Sequence, residues 1–307
     1  MGSTVRVRVG TSWLIMLTTW LSLAGLALTH AWKTHQLLIT ASQTQRSGHG
    51  DATPFALLNF DDALDGKTWV RLTTDWVESP GAWRLRYTMD DNAPNGREVR
   101  WSSGWSWWLA GLGALNHLFT GQPWPRAIEN ASIWAGLPWL LLGVVLFSWW
   151  IGRRLGWGAA ALAALALFGH PGVYEGFWPG NPDHHGVLVF AVFASLLGVL
   201  LAGAGFWRAD GGDGLFPGKV SQARRAMIAS ALFGALGMWE SVAAVALPLA
   251  TVVLAALAST MWFGRRLCVE GFTFAPGLWR LWGRVGAVAS LFLYLVEYAP
   301  DRLGMHL

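Results

Sequence analysis

The sequence predicts an all-α membrane protein that crosses a bilayer about seven times and carries one long external loop. Hydrophobic residues make up 53% of the 307 residues and charged residues only 13%, about half the charged share of a typical soluble domain. Several apolar runs reach the ~20 residues that an α-helix needs to cross a bilayer. The net charge of +4 therefore indicates membrane orientation rather than nucleic-acid binding.

Three regions follow one another along the chain. Residues 1–39 predict an N-terminal membrane anchor helix; its apolar run could also be a signal peptide, but no small-residue cleavage site follows it. Residues 40–126 predict a long external loop with interfacial helices, including a short helix over Asp62–Val77. Residues 127–307 predict a transmembrane helical bundle. Its apolar runs are Ile128–Trp150, Gly158–Phe168, Val187–Phe206, Met227–Met238, Val242–Phe263 and Leu281–Tyr298.

The basic residues orient these helices, because lysine and arginine favour the cytoplasmic side. If the N-terminus is inside and Ser102–Phe119 does not cross, three basic pairs fall inside: Arg153-Arg154, Arg224-Arg225 and Arg265-Arg266. Every candidate acidic or histidine site then falls outside. The sequence thus predicts a multi-pass protein of the inner (plasma) membrane with a site that faces outward.

Two polar clusters are candidates for chemistry. Asp61-Asp62 follows the anchor; adjacent carboxylates repel one another, and a divalent cation relieves that cost. The alternative is that Asn59 or Asp61 caps the short helix, with acidic residues favoured near its positive end. Asp183-His184-His185 lies between two apolar runs, where ionisable residues are usually functional.

The second cluster also has a simpler interpretation. Asn181 can cap a helix that has Pro182 at its first position, with Asp183 in the first turn. That interpretation leaves the two histidines unexplained. Neighbouring positions of a regular helix point about 100° apart, so we expect only one histidine to bind an ion directly. A carboxylate with an imidazole suits Mg²⁺ or Mn²⁺ better than a closed zinc site.

Three motifs resemble those of the GT-C class of membrane glycosyltransferases, especially the oligosaccharyltransferase catalytic-subunit branch. The motifs are Asp61-Asp62 leading through Trp69-Val70-Arg71, Pro94-Asn95-Gly96 followed by Val99-Arg100-Trp101-Ser102, and Gly180-Asn181-Pro182-Asp183-His184-His185. The resemblance implies an enzyme that moves a sugar from a polyprenyl-phosphate-linked donor to an acceptor at the external membrane face. It implies Mg²⁺ or Mn²⁺ as cofactor, and a lipid-linked donor and membrane lipids as partners.

The resemblance also implies roles for individual residues. Asp61 and Asp62 would be catalytic. The metal ligands would be Asp61, Asp183, His184 and His185. The substrate-binding residues would be Arg71, Arg100 and Trp101. Glu240, at the predicted outer turn of the Met227–Phe263 hairpin, is a further substrate-binding candidate if it faces the same cavity; the alternative is an ordinary exposed turn residue.

Two departures from that class leave alternatives open. Its members are commonly longer, so the chain is expected to be an incomplete enzyme if the resemblance holds. Trp107-Trp108 and Trp149-Trp150 are not followed by Asp, which disfavours protein N-glycosylation. An ion-coupled transporter, in which Asp183, the histidines and Glu240 relay a cation, is the second interpretation. A non-catalytic, truncated membrane protein is the third.

Overall fold

The computed structural model describes residues 9–48, 64–79, 81, 83–89, 94–209, 216–300 and 303. In this part of the chain the fold is all-α, with two pairs of two-residue strands. The helices are α1 (Val9–Gly48), α2 (Leu64–Glu78), α3 (Gly104–Thr120), α4 (Trp124–Ser132), α5 (Leu137–Leu155), α6 (Trp157–Gly169), α7 (Pro171–Tyr174), α8 (His185–Leu201), α9 (Val220–Glu240), α10 (Val242–Val269) and α11 (Pro276–Tyr298).

Three segments of the described chain are long and apolar enough to cross a bilayer: Trp13–Ala41, Trp124–Leu155 and Val242–Val269. Two shorter helices, α6 and α8, are also apolar. The outer face of α10 is largely exposed in the described part of the chain, with Leu247, Met261 and Trp262 all more than two-thirds exposed. Apolar side chains in this number on one helix face indicate contact with lipid rather than with water.

Helix α8 lies at the centre of the bundle and packs against α5, α9 and α10. Small residues set the distance between α8 and α9: a Cβ added at Gly198 would lie 2.7 Å from the Cβ of Ser230. Such close approach is typical of helix pairs in membranes. Polar groups also join the helices. Ser230 Oγ of α9 donates to the backbone oxygen of Ser195 on α8 at 2.7 Å and accepts from Trp282 Nε1 on α11 at 2.9 Å.

A second core lies between α2, α3 and the chain that enters α5. Its largest buried side chains are Trp69 of α2, Trp105 of α3 and Ile128 of α4, each at most 2% exposed. The short helix predicted over Asp62–Val77 is therefore confirmed as α2, and this core fixes it against the membrane helices. The predicted apolar segment Ser102–Phe119 is one helix, α3.

One predicted run ends earlier than the sequence indicated. Val187–Phe206 is helical only to Leu201. Gly203 and Gly205 then adopt φ of 63° and 98°, a left-handed region that glycine enters readily. The chain continues as strand β3 (Phe206–Trp207), which pairs with β4 (Thr273–Phe274) before α11. Strands β1 (Tyr87–Thr88) and β2 (Arg97–Glu98) pair within the predicted external loop.

Candidate metal centre

The loop that precedes α8 is held by three neighbouring elements. Gly180 N donates to the backbone oxygen of Ile133 at 3.0 Å, and Trp105 Nε1 of α3 donates to the backbone oxygen of Pro182 at 2.8 Å. Helix α2 touches the same loop, because a Cβ at its Gly66 would lie only 2.8 Å from Cδ of Pro182. The loop conformation therefore depends on residues that are far apart in the sequence.

The start of α8 contradicts the capping interpretation of this loop. The helix begins at His185 with His184 as its N-cap residue, so Asn181 does not cap it and Pro182 is not its first residue. The first turn sits against the short 3₁₀ turn Glu175–Phe177. A Cβ at Gly186 would lie 2.5 Å from the backbone oxygen of Gly176, so this contact requires glycine.

Asp183, His184 and His185, hereafter the Asp-His-His cluster, bring three potential metal ligands together. His184 Nδ1 lies 2.8 Å from Asp183 Oδ1, and His185 Nδ1 lies 2.8 Å from Asp183 Oδ2. One ligand atom from each of the three residues lies within 4.8 Å of the others. Both rings reach the same carboxylate, with His184 as the N-cap residue and His185 as the first residue of α8. That only one of the two histidines binds an ion directly stays a prediction.

Two hydrogen bonds at His184 Nδ1, one with Trp69 and one with Asp183, exclude each other. Trp69 Nε1 lies 3.1 Å from His184 Nδ1, the same atom that faces Asp183 Oδ1. An indole nitrogen only donates, so Nδ1 must be unprotonated to accept from Trp69 but protonated to donate to Asp183. The single lone pair of an unprotonated Nδ1 can accept from Trp69 or bind a cation, so a metal ion at this atom would displace the Trp69 hydrogen bond.

Electrostatics keep the carboxylate of the cluster ionised. Asp183 is 5% exposed, and this burial alone would raise its pKa. When their Nδ1 atoms are protonated, His184 and His185 donate to this carboxylate, and these hydrogen bonds with the charges of both rings outweigh burial and hold the pKa of Asp183 well below its usual range. The hydrogen bond to Asp183 also raises the pKa of His185 against the effect of burial, helped by the charges of Asp183, Asp65 and Glu175.

A cavity of about 710 Å³ opens beside the cluster. Its polar wall combines α2, the 3₁₀ turn and the loop before α8; these residues are Asp65, Glu175, Asn181, Asp183 and His185. Its apolar wall comes from α8 and the start of α10; these residues are Leu188, Val189, Val192, Phe193, Ala244 and Val245. The cavity thus offers charged groups at one end and hydrocarbon along the other.

Two buried glutamates lie behind the cluster. Glu240, at the end of α9, accepts from Ser102 Oγ at 2.5 Å, and burial raises its pKa to about 7. Glu297 of α11 is fully buried; it accepts from Ser103 N at 3.0 Å and from Ser103 Oγ at 2.9 Å. Arg86 pairs with Glu297 at 3.2 Å. These contacts tie the predicted external loop to α9 and α11.

The predicted site residues divide into three groups. Asp183, His184 and His185 meet in space, while Asp61 and Asp62 lie outside the described residues. Trp101 stacks against Trp69 with ring centroids 4.7 Å apart, and Glu240 is near enough to His184 for their charges to interact. Arg71 and Arg100 are exposed and do not line the cavity, so their substrate role stays a prediction.

Sequence reasoning missed two groups at this site. Neither Trp69 nor Glu175 is among the predicted site residues, yet the first contacts His184 and the second lines the cavity. Glu297 is not among the predicted site residues either. A local signal for it does exist, since a glutamate inside an apolar helix usually has a specific partner, but the partner is not visible in the sequence.

The donor set fits a divalent cation. One carboxylate and two imidazoles are borderline ligands that suit Mn²⁺, Fe²⁺ or Zn²⁺ better than Mg²⁺, which prefers oxygen ligands and retains several waters. Of the two ions that the sequence predicted, these ligand types therefore favour Mn²⁺.

Comparisons with protein-family models, with curated proteins and with solved structures found no match.

Proposed function

We propose that this chain is a metal-assisted membrane glycosyltransferase that takes its sugar from a polyprenyl-phosphate-linked donor. The observation that carries the proposal is the cavity that joins the Asp-His-His cluster to apolar residues of α8 and α10. A polyprenyl-phosphate sugar has the same division, with a charged phosphate and sugar at one end and a hydrocarbon chain at the other.

The residues of the cavity suit that reaction. A divalent cation held by the cluster would neutralise the charge that develops on the departing lipid phosphate. Asp65 and Glu175 in the cavity wall provide acceptors for sugar hydroxyl groups. The catalytic role of Asp61 and Asp62 fits this arrangement, because they directly precede α2, whose first turn reaches the cavity through Asp65. A carboxylate there would orient or deprotonate the acceptor hydroxyl.

The proposal includes seven crossings of the inner (plasma) membrane with the cavity facing outward. The support is the length of α8, whose 17 residues span roughly 25 Å. The Asp-His-His cluster lies at its first turn and Arg154 contacts Leu201 at its last. Arg154 therefore lies at the end of α8 opposite to the cluster, so a cytoplasmic position for this basic end would place the cluster outside.

Metal binding is the first test. Purified full-length chain in detergent is titrated with Mn²⁺, and the bound ion is counted by electron paramagnetic resonance. We expect one site in the wild type, and weakening by roughly tenfold or more in Asp183→Asn. Asp75→Asn, on α2 but outside the cavity lining, is the matched control and should bind as the wild type does.

Sugar transfer is the second test. A polyprenyl-phosphate hexose with a radiolabelled sugar is incubated with the chain and membrane extract, with and without Mn²⁺. We expect Mn²⁺-dependent release of the sugar from the lipid, lost in Asp183→Asn and in Asp61→Asn. Metal binding without any sugar release would refute the transferase proposal. Cation flux in proteoliposomes that contain no sugar lipid would favour the transporter instead.

A further inference from the structure

A second large cavity lies at the other end of the bundle, where α5 ends and α9 begins. It has a volume of about 980 Å³. Four basic side chains line it: Arg153 and Arg154 of α5, Lys219, and Arg225 of α9. None of its described lining residues is acidic. This basic cavity is separate from the proposed active site, and nothing in the proposed reaction uses it.

The four cations have no counterion among the described residues. No described carboxylate lies within the 4.0 Å of an ion pair from any of them. Two of them are nevertheless fixed in place: Arg154 Nη2 donates to the backbone oxygen of Leu201 at 3.2 Å, and the Arg153 guanidinium lies 5.8 Å from the ring centroid of Trp149. Most of their donors remain available to a ligand.

Helix α9 adds further positive potential to the basic cavity. It begins at Val220, and no side chain caps its N-terminus. The first backbone N–H groups of a helix and its dipole attract anions. Lys219, the N-cap residue, and Gln222, in the first turn, both line the cavity. A 21-residue helix therefore points its positive end at a cavity already lined by four cations.

The position of the basic cavity matches a membrane surface. Arg153 lies two residues before the end of the candidate span Trp124–Leu155, and Trp149 and Trp150 line the same cavity. Indole rings settle at the level of lipid headgroups. Basic pockets between helices at this depth are suited to the headgroups of acidic lipids.

We propose that the basic cavity binds a phosphate-bearing anion, which an acidic phospholipid headgroup or a soluble phosphate could supply. Charge that served only to orient the chain in the membrane would need no cavity and no fixed arginines. Here two guanidinium groups are positioned beside an uncapped helix start, and guanidinium is the side chain that binds phosphate oxygens in pairs. The proposal is independent of the proposed glycosyltransferase activity.

The test measures ligand binding by the full-length chain in neutral nanodiscs. Phosphatidylglycerol, phosphatidylcholine and inorganic phosphate are compared by native mass spectrometry and by the shift that each causes in the unfolding temperature. The variant pair Arg153→Gln with Arg225→Gln removes two cations that line the cavity. The control pair Arg224→Gln with Arg265→Gln removes equal charge from neighbouring positions that do not line it.

We expect the wild type to prefer phosphatidylglycerol over phosphatidylcholine, and the cavity variant to lose about tenfold or more in affinity. The control variant should bind as the wild type does, and both variants should unfold at the wild-type temperature in neutral lipid. Binding of inorganic phosphate with the same dependence on Arg153 and Arg225, but without lipid preference, would identify a soluble anion as the ligand.

Two results would overturn the proposal. Equal losses in the cavity and control variants would show that only overall charge matters. The second result concerns Asp210 and Asp213, which lie outside the described residues. Weak binding by the wild type that rises strongly in Asp210→Asn with Asp213→Asn would show that these carboxylates are the native counterions of the cavity.

Discussion

The indole Nε1 of Trp69 and the imidazole Nδ1 of His184 lie 3.1 Å apart, although they are 115 residues apart in the chain. Because the indole can only donate, this contact favours the tautomer of His184 that leaves Nδ1 unprotonated. An unprotonated Nδ1 beside the Asp183 carboxylate is unfavourable without a cation. Because Nδ1 has a single lone pair, the indole N–H of Trp69 competes with a metal ion for this atom of the Asp-His-His cluster.

Replacing Trp69 by Phe should strengthen metal binding through His184 while keeping an aromatic ring in the core. Without the indole N–H, the single lone pair of His184 Nδ1 is free to bind the ion, which no longer has to displace a hydrogen bond. One hydrogen bond of this kind is worth about 1 kcal/mol, or roughly fivefold in Mn²⁺ affinity. Mn²⁺ titration measures the affinity, and ¹⁵N nuclear magnetic resonance of the histidine rings reports the tautomer.

Trp101→Phe is the matched control for this prediction. Trp101 stacks on Trp69, but none of the described hydrogen bonds joins its indole nitrogen to His184. Its replacement should leave the metal affinity and the His184 tautomer unchanged. If Trp69→Phe bound Mn²⁺ only as tightly as the wild type, the indole N–H would not compete with the ion for Nδ1.

The sequence predicted the helices better than it predicted the contacts between them. Apolar runs located α10 and α11, because a long apolar segment has one stable form in a bilayer. Local patterns carry no information about which distant residues meet. Ser103 and Glu297 are 194 positions apart, and their contact depends on where the tertiary fold places the start of α3 relative to the end of α11. The start of α8 was misplaced for the same reason: Trp105 and Gly66 hold the preceding loop in a form that its own residues do not dictate.

Glu240→Gln should make the protein less sensitive to alkaline pH. Burial raises the pKa of Glu240 to about 7 from a model-peptide value of 4.5, so the folded chain holds a proton that the unfolded chain releases. Its contribution to stability is therefore fully present below pH 4.5 and is lost as pH rises toward 7. The loss avoided by Gln is at most roughly 3 kcal/mol.

The measurement is the unfolding temperature of both proteins in detergent at pH 5 and at pH 8. The variant should match the wild type at pH 5 and unfold at a higher temperature at pH 8. Glu270→Gln provides the control, because Glu270 is about half exposed and pairs with Arg266 at the surface. A wild type that gained stability relative to Glu240→Gln between pH 5 and pH 8 would show that Glu240 is ionised in the folded state.

Gly66→Ala should move the metal site without unfolding the chain. The new Cβ would lie 2.8 Å from Cδ of Pro182 and 3.1 Å from Oδ1 of Asn181, so the loop before Asp183 must shift away from α2. We expect Mn²⁺ affinity to fall roughly tenfold, as it does when groups that orient ligands are disturbed. Gly111→Ala on α3 has open space around its Cβ and should bind Mn²⁺ normally. Equal affinities in the two variants would mean that α2 does not position the loop.

Ser230→Ala should destabilise the packing of α8, α9 and α11 without affecting either cavity. Ser230 is fully buried; it donates to the backbone of Ser195 and accepts from Trp282 Nε1. Its removal leaves the indole nitrogen of Trp282 without that partner, at a cost of about 1–2 kcal/mol.

Trp282→Phe removes the donor of the same hydrogen bond instead. Since each change breaks the same hydrogen bond, the double variant should lose less stability than the sum of the two single losses, as measured by unfolding in detergent. Fully additive losses would show that the bond contributes nothing, and that the small side chain of Ser230 serves only the close approach of α8 to α9.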